Sequence, residues 1–160
     1  MWTKYVKPFK LTKTRDPDLA FGDLPWIPLD MAKSLAAITS FLREAYGTEA
    51  AYIGLYGSWQ RGDATPDSDV DIAVFLNHEV PWFDSIHGLG DPAAARKDRS
   101  RWHAIEKRAN KKRLDPRVYS INVVTQGMIY YYLAHGPIHL QNWAHALMNS
   151  YPLGGAAPDL

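Results

Sequence analysis

Two apolar runs of strand length, joined by a short polar loop, constrain the fold of this 160-residue chain more than any other feature. The runs are residues 51–56 and 69–76, and the loop between them begins with Gly57-Ser58. Both runs are rich in branched or aromatic residues, which favours buried strands, and a glycine directly after an apolar run marks a backbone turn. The pattern predicts two strands whose connection carries the polar chemistry.

The residues after the first strand are those expected of an anion-binding turn. Ser58 follows the strand end at the mouth of a short helical turn, where unpaired backbone N–H groups and a positive dipole end face an anion. Arg61 adds a bidentate partner for phosphate oxygens, and Gly62 lets the backbone pass close to a ligand. The turn is therefore predicted to hold phosphate.

Two carboxylates open the second strand. Strand side chains alternate between faces, so Asp69 and Asp71 project to one side while Val70, Ile72 and Val74 point towards a core. Adjacent carboxylates repel unless a cation lies between them, and a hard cation such as Mg²⁺ prefers oxygen ligands. The pair predicts a metal site beside the phosphate turn.

These residues together resemble the minimal nucleotidyltransferases of the DNA polymerase β-like superfamily. The signature of that family is a Gly-Ser pair after an apolar strand, then Arg-Gly, then Ser-Asp-x-Asp; the matching residues are Gly57, Ser58, Arg61, Gly62, Ser68, Asp69 and Asp71. The resemblance covers roughly residues 30–140 and implies an α+β fold, a small mixed β-sheet with helices packed on one face. The alternative interpretation is a hairpin-like connection with an incidentally acidic strand edge.

The third strand, predicted at residues 117–125, departs from the family pattern. The resemblance implies a third carboxylate there, and Asn122 stands at that position. An amide cannot accept a proton at neutral pH, so general-base help worth ~10²–10⁴ in rate would be missing. Asp115 is the best candidate for a substitute acid, with Asp67 and Asp84 as further candidates.

The flanking segments complete the predicted organisation. Residues 1–29 form an irregular arm whose aromatic side chains are expected to pack on the domain, residues 30–150 form the nucleotidyltransferase domain, and residues 151–160 form a C-terminal tail. Within the domain, Asp30 is predicted to be the N-cap of a helix, and residues 128–140 are predicted to form a helix ended by Gly136-Pro137 and followed by a short apolar segment. Residues 93–113 predict an amphipathic helix whose cationic face is either solvated or a landing surface for an anionic acceptor, a triphosphate or an acidic partner.

Composition excludes several classes of function. The chain has no cysteine, which excludes disulfides and thiolate sites and fits a cytoplasmic protein. Its longest apolar run, residues 128–134, is far below the ~20 residues of a membrane span. The formal net charge of +1 argues against the whole molecule being a nucleic-acid binder.

The first functional hypothesis is an enzyme. It would transfer a nucleoside monophosphate, AMP from ATP or another NTP, to a hydroxyl of a protein or small molecule, with Mg²⁺ or Mn²⁺ held by Asp69 and Asp71. Gly57, Ser58, Arg61, Gly62 and Ser68 would bind the nucleotide. The resemblance implies a partner as well, because such proteins are commonly encoded with a helical HEPN-type protein, and some are antitoxins that transfer AMP to its tyrosine.

Two other hypotheses remain. Asn122 favours a catalytically weakened NTP-binding module that restrains a partner protein, whereas the intact pair of aspartates favours the enzyme. An aminoglycoside-type adenylyltransferase is disfavoured because the chain leaves no room for the extra helical domain of those enzymes. Base preference, the acceptor and assembly into a homo-oligomer stay open.

Overall fold

The computed structural model describes residue 21, residues 23–81 and residues 91–155. These residues fold into a four-stranded mixed sheet with helices, so the predicted α+β class is confirmed. The elements are α1 (Leu29–Tyr46), a 3₁₀ turn (Gly47–Glu49), β1 (Ala50–Tyr56), α2 (Ser58–Arg61), β2 (Val70–Leu76), α3 (Pro92–Asn110), β3 (Tyr119–Thr125), α4 (Gln126–His135), α5 (Ile138–Met148) and β4 (Tyr151–Gly155).

The strand order in the sheet is β3-β2-β1-β4. Strand β1 is antiparallel to both β2 and β4, whereas β2 and β3 run parallel. A parallel pair needs a crossover connection, and α3 provides it. This topology puts the end of β1 beside the start of β2, so Tyr56 lies directly opposite Asp71.

The core lies between the central strands and the apolar faces of the helices. Strands β1 and β2 are almost entirely buried, as their apolar sequences predict. Helix α1 buries one stripe of side chains, Met31, Leu35, Ile38 and Leu42, and α3 buries another, Ala95, Ile105 and Ala109. The amphipathic character predicted for residues 93–113 is therefore confirmed.

The predicted start of the first helix was wrong by two positions. Pro28 is the N-cap of α1, and Asp30 lies inside its first turn, where its Oδ1 accepts a hydrogen bond from the Met31 N–H at 2.8 Å. The φ of proline is held near −65°, which prepares the chain to enter a helix. Asp30 also accepts a hydrogen bond from Arg117 at 3.2 Å, so it ties α1 to the start of β3.

The C-terminal part of the chain differs most from expectation. Tyr151–Gly155, placed in the predicted tail, forms β4 on the free edge of β1, and Leu153 is buried there. The sheet therefore extends beyond residue 150. Helix α5 was also not predicted; it begins after Pro137, and Gly136 ends α4 as expected. Residues 156–160 lie outside the described part of the chain.

Part of the N-terminal arm can be compared with its prediction. Phe21 packs on Tyr151 with ring centroids 5.6 Å apart, and Leu24 is buried in the core. These contacts agree with the expected packing role, while residues 1–20 lie outside the described residues. None of the described helices is long and apolar enough to cross a bilayer.

Candidate active site

The turn after β1 has the predicted helical form. Gly57 leaves the strand at a φ of +79°, and the first hydrogen bond inside α2 runs from the Arg61 N–H to the Gly57 carbonyl at 3.1 Å. The N–H groups of Ser58, Trp59 and Gln60 therefore have no partner inside the helix. A short helix start with free donors follows the strand, where the sequence placed the phosphate turn.

Gly57 also brings the turn and the carboxylates together. A Cβ at this position would collide with the Asp71 carboxylate, and a positive φ is unfavourable for other residues. Only a glycine lets Asp71 lie directly against the backbone that opens α2. The two halves of the sequence motif are thus in contact in the folded chain.

The two aspartates differ in their surroundings. Asp69 is exposed just before β2, and Asp71 is half-buried within it, on the same face. Burial raises the pKa of Asp71 above its ordinary value, the charge of Asp69 raises it further, and Arg61 lowers it. A cation bound between the two carboxylates would relieve the cost of the two negative charges.

The carboxylates of Asp69 and Asp71 fit a magnesium ion that keeps water and phosphate ligands better than they fit a metal ion whose ligands all come from the protein. Within residues 21, 23–81 and 91–155, no group of three or more His, Asp or Glu side chains could hold a metal ion. Mg²⁺ is commonly held by one or two carboxylates together with substrate phosphates and water. Asp69 and Asp71, beside the free N–H groups at the start of α2, correspond to that pattern.

Asn122 occupies the position at which the family pattern has a third carboxylate. It pairs with Ala73 in the β2–β3 ladder, so it lies on the same face of the sheet as Asp71, two positions along β2. Its Nδ2 donates a hydrogen bond to the hydroxyl of Tyr56 at 2.5 Å. The structure therefore places Asn122 on the face of the sheet that carries Asp71, with Tyr56 as its hydrogen-bond partner.

Tyr56 is a site residue that sequence reasoning missed. Burial raises its pKa to about 12, with a further increase from the charge of Asp71, so the phenol is protonated at neutral pH and is no general base. Its oxygen accepts a hydrogen bond from Asn122, which leaves its own O–H proton as a donor. The one signal in the sequence was its place as the last residue of an apolar strand.

Asp115 was predicted to be the substitute acid, and this prediction was wrong. Its side chain is fully buried, and its Oδ1 accepts hydrogen bonds from Ser34 at 2.9 Å and Tyr119 at 2.8 Å. Its Oδ2 accepts a hydrogen bond from Arg117 at 2.5 Å. Because donors occupy both oxygens, Asp115 holds β3 against α1 and is not available to accept a proton. Asp67 is an exposed loop residue, and Asp84 lies outside the described residues.

The remaining predicted nucleotide ligands have different positions. Arg61 is exposed, pairs with Asp63 at 3.3 Å and lies close enough to Asp71 to lower its pKa. Ser68 organises the loop before the carboxylates, because its Oγ accepts a hydrogen bond from the Thr65 N–H at 2.9 Å. Gly62 adopts a φ of +86° and lies against an indole ring, so the close approach there is made by the protein itself.

The cationic helix α3 ends near this site. Its last residue, Asn110, hydrogen-bonds through its side chain to both the N–H and the carbonyl of Tyr119, and Tyr119 pairs with Val70 at the start of β2. Some of its cations have partners in the fold: Arg101 forms a two-bond ion pair with Glu49. The landing-surface role remains a prediction.

A family model described as "Nucleotidyltransferase domain" matches residues 35–127, a range that runs from within α1 to the start of α4 and contains every predicted site residue. No curated protein matches the chain.

Proposed function

This chain belongs to the nucleotidyltransferase domain family, and from that premise we propose that it transfers AMP from Mg²⁺-bound ATP to a hydroxyl of a protein or small molecule. The observation that carries the proposal is the contact between Gly57 and Asp71, which joins an anion-binding turn to a carboxylate pair. Nucleotidyl transfer needs both at one place, because the triphosphate and its metal must be bound together.

Each residue has a defined role in this proposal. Ser58 and the free N–H groups of α2 hold the terminal phosphates, and Arg61 offsets their charge. Asp69 and Asp71 hold Mg²⁺, which when bound polarises the α-phosphate and stabilises the charge of the pyrophosphate. The acceptor oxygen attacks the α-phosphorus, the bond to pyrophosphate breaks, and the acceptor proton must leave.

The groups at the third-carboxylate position, Asn122 and Tyr56, determine how fast that proton leaves. Asn122 is neutral, and Tyr56 keeps its proton because its pKa is about 12, so neither takes the proton from an acceptor hydroxyl. They can hold the acceptor oxygen in place by hydrogen bonds, and the proton then passes to water. We therefore expect slow transfer whose rate depends on the acidity of the acceptor.

A second candidate function follows from the neutral residue at the third-carboxylate position. Asn122 favours an NTP-binding module that restrains a partner protein without turnover. The family resemblance supports a HEPN-type protein as that partner, and as the acceptor if the protein is an antitoxin enzyme. The two candidates share the nucleotide site and differ in whether label is transferred.

One experiment separates them. The protein is incubated with ATP labelled on the α-phosphate, Mg²⁺ and cell extract, beside the double variant Asp69→Ala/Asp71→Ala and the control Glu44→Gln, which changes an exposed carboxylate of α1. Metal-dependent labelling that the double variant loses and the control keeps supports the transferase. Binding of Mg·ATP without label in any acceptor overturns it in favour of the binding module.

A further inference from the structure

Two tryptophans connect the N-terminal arm to the nucleotide turn and to the carboxylates. The indole N–H of Trp26 donates to the carbonyl of Trp59 in α2 at 2.6 Å. The indole N–H of Trp59 in turn donates to the carbonyl of Ser68 at 3.0 Å, and Ser68 directly precedes Asp69. A chain of two hydrogen bonds therefore runs from the arm, through α2, to the metal-binding end of β2.

Helix α2 depends on such outside contacts. It has four residues, and a single turn is unstable by itself. The N–H groups of Gly62 and Asp63 both donate to the Ser58 carbonyl, so neither pairs with the Trp59 carbonyl inside the turn. The Trp26 indole supplies the donor for that carbonyl, and it thereby sets how α2 is oriented.

The Trp26 ring also covers the end of α2. A Cβ built on Gly62 would lie 3.0–3.2 Å from three atoms of this ring, closer than an ordinary contact. Gly62 therefore serves two needs, a positive φ at the helix end and room for the indole. This contact gives Gly62 a role in placing the turn.

Both tryptophans are themselves held in place. The guanidinium of Arg117 lies 5.1 Å from the centre of the Trp59 ring, and the buried carboxylate of Asp115 holds Arg117. On the arm, the Ile27 N–H donates to the carbonyl of the buried Leu24 at 3.1 Å, which forms a turn around Trp26. The connection thus joins two anchored parts of the molecule.

We propose that Trp26 is a positioning residue for Mg·ATP, which acts through the Trp59 carbonyl to hold α2 at the correct distance from Asp69 and Asp71. The inference rests on the proposed function, since it concerns the same nucleotide site. Trp26 lies outside residues 35–127, so this chain adds a determinant that the family model does not include. Trp26 therefore controls how much the metal strengthens ATP binding. The triphosphate binds to α2 and the metal binds to the two aspartates, and these are the two parts that Trp26 aligns.

The test compares Trp26→Phe, which keeps a ring over Gly62 and removes the N–H, with Trp26→Ala, which removes both. The control is Trp102→Phe on α3: among the described residues, the buried Trp102 N–H has no hydrogen-bond partner, so the same substitution breaks no bond there. Calorimetry measures the Kd of ATP with Mg²⁺ and with EDTA for each protein. The ratio of the two values is the gain from the metal, and a general loss of stability would not change it for folded protein.

We expect Trp26→Phe to reduce the gain about fivefold, the size of one net hydrogen bond, Trp26→Ala to reduce it more, and Trp102→Phe to leave it unchanged. A gain equal to the wild-type value in both Trp26 variants would overturn the role of Trp26 while leaving the nucleotide site intact. Absence of any metal-dependent gain in the wild-type protein would instead overturn the proposed function, and this inference with it. Trp26 is 41% exposed, so both variants are expected to fold.

Discussion

Asn122 and Tyr56 meet across an intervening strand. Asn122 lies on β3 and Tyr56 on β1, with β2 between them, yet their side chains are hydrogen-bonded at 2.5 Å. The residue of β2 that pairs with Asn122 is Ala73, whose small side chain leaves room for the contact. At the position where the family pattern has a third carboxylate, this chain therefore has a neutral, hydrogen-bonded pair of side chains.

The first prediction concerns the third-carboxylate position. Asn122→Asp supplies a general base at the position where the family resemblance implies one, so we expect the rate of AMP transfer to rise by about 10²-fold. The measurement is the initial rate of labelling at saturating Mg²⁺ and ATP, with Asn122→Ala as the variant that supplies no base. An equal rate in the Asp and Ala variants would show that proton removal does not limit the reaction.

The second prediction concerns the contact between the turn and the carboxylates. Gly57→Ala adds a clash with Asp71 to the cost of a positive φ, whereas Gly47→Ala, at a φ of +55°, meets no atom within 4 Å. We expect Gly47→Ala to cost about 1 kcal/mol in the free energy of unfolding and Gly57→Ala about 1–3 kcal/mol more.

Urea denaturation measures both free energies, and calorimetry measures Mg·ATP binding. Gly57→Ala should also lose affinity, because the collision forces Asp71 away from α2, while Gly47→Ala should bind normally. Equal effects of the two substitutions on stability and binding would contradict a specific contact between Gly57 and Asp71.

The third prediction tests the structural role of Asp115. Asp115→Asn removes the buried anionic partner of the half-buried Arg117 and leaves it only the more exposed Asp30 at 3.2 Å; breaking a buried ion pair costs about 3–5 kcal/mol in the free energy of unfolding. Denaturant titration measures this loss. At saturating Mg·ATP the transfer rate per folded molecule should stay close to the wild-type value, whereas the affinity can fall because Asp115 holds Arg117 against Trp59. A large loss of the saturated rate would restore Asp115 as a catalytic acid.

The parts of the fold and of the candidate site that could be predicted from the sequence are those determined by short local patterns. The strand–turn–strand unit around Gly57 and Asp71 was predictable because apolar runs, a glycine and the period-two alternation all lie within one short stretch. Strand β4 was not, because Pro152 and Gly154 have low strand propensity, and the segment forms a strand only by pairing with the edge of β1. The Tyr56–Asn122 contact depends on strand order, which spacing along the chain does not reveal.

The last prediction follows from the raised pKa of Asp71. A carboxyl group whose pKa is higher in the folded than in the unfolded protein binds its proton more tightly when folded, so its stabilising effect is present at low pH and is lost as the pH rises through the two values. At neutral pH without metal, ionised Asp71 thus destabilises the fold. Asp71→Asn should raise the Tm at pH 7 without Mg²⁺, and the difference from wild type should shrink in acid.

Ligand reverses the order of the two proteins. Mg·ATP at 100 times its Kd should stabilise the wild-type protein by about 2.7 kcal/mol and Asp71→Asn much less, since the variant has lost a metal ligand. Thermal unfolding from pH 4 to pH 8, with and without Mg·ATP, measures both effects, and Glu44→Gln is the control at an exposed carboxylate of α1. If Asp71→Asn lowers the apo Tm at pH 7, the carboxylate is stabilised by the fold itself, and the argument that it awaits a cation fails.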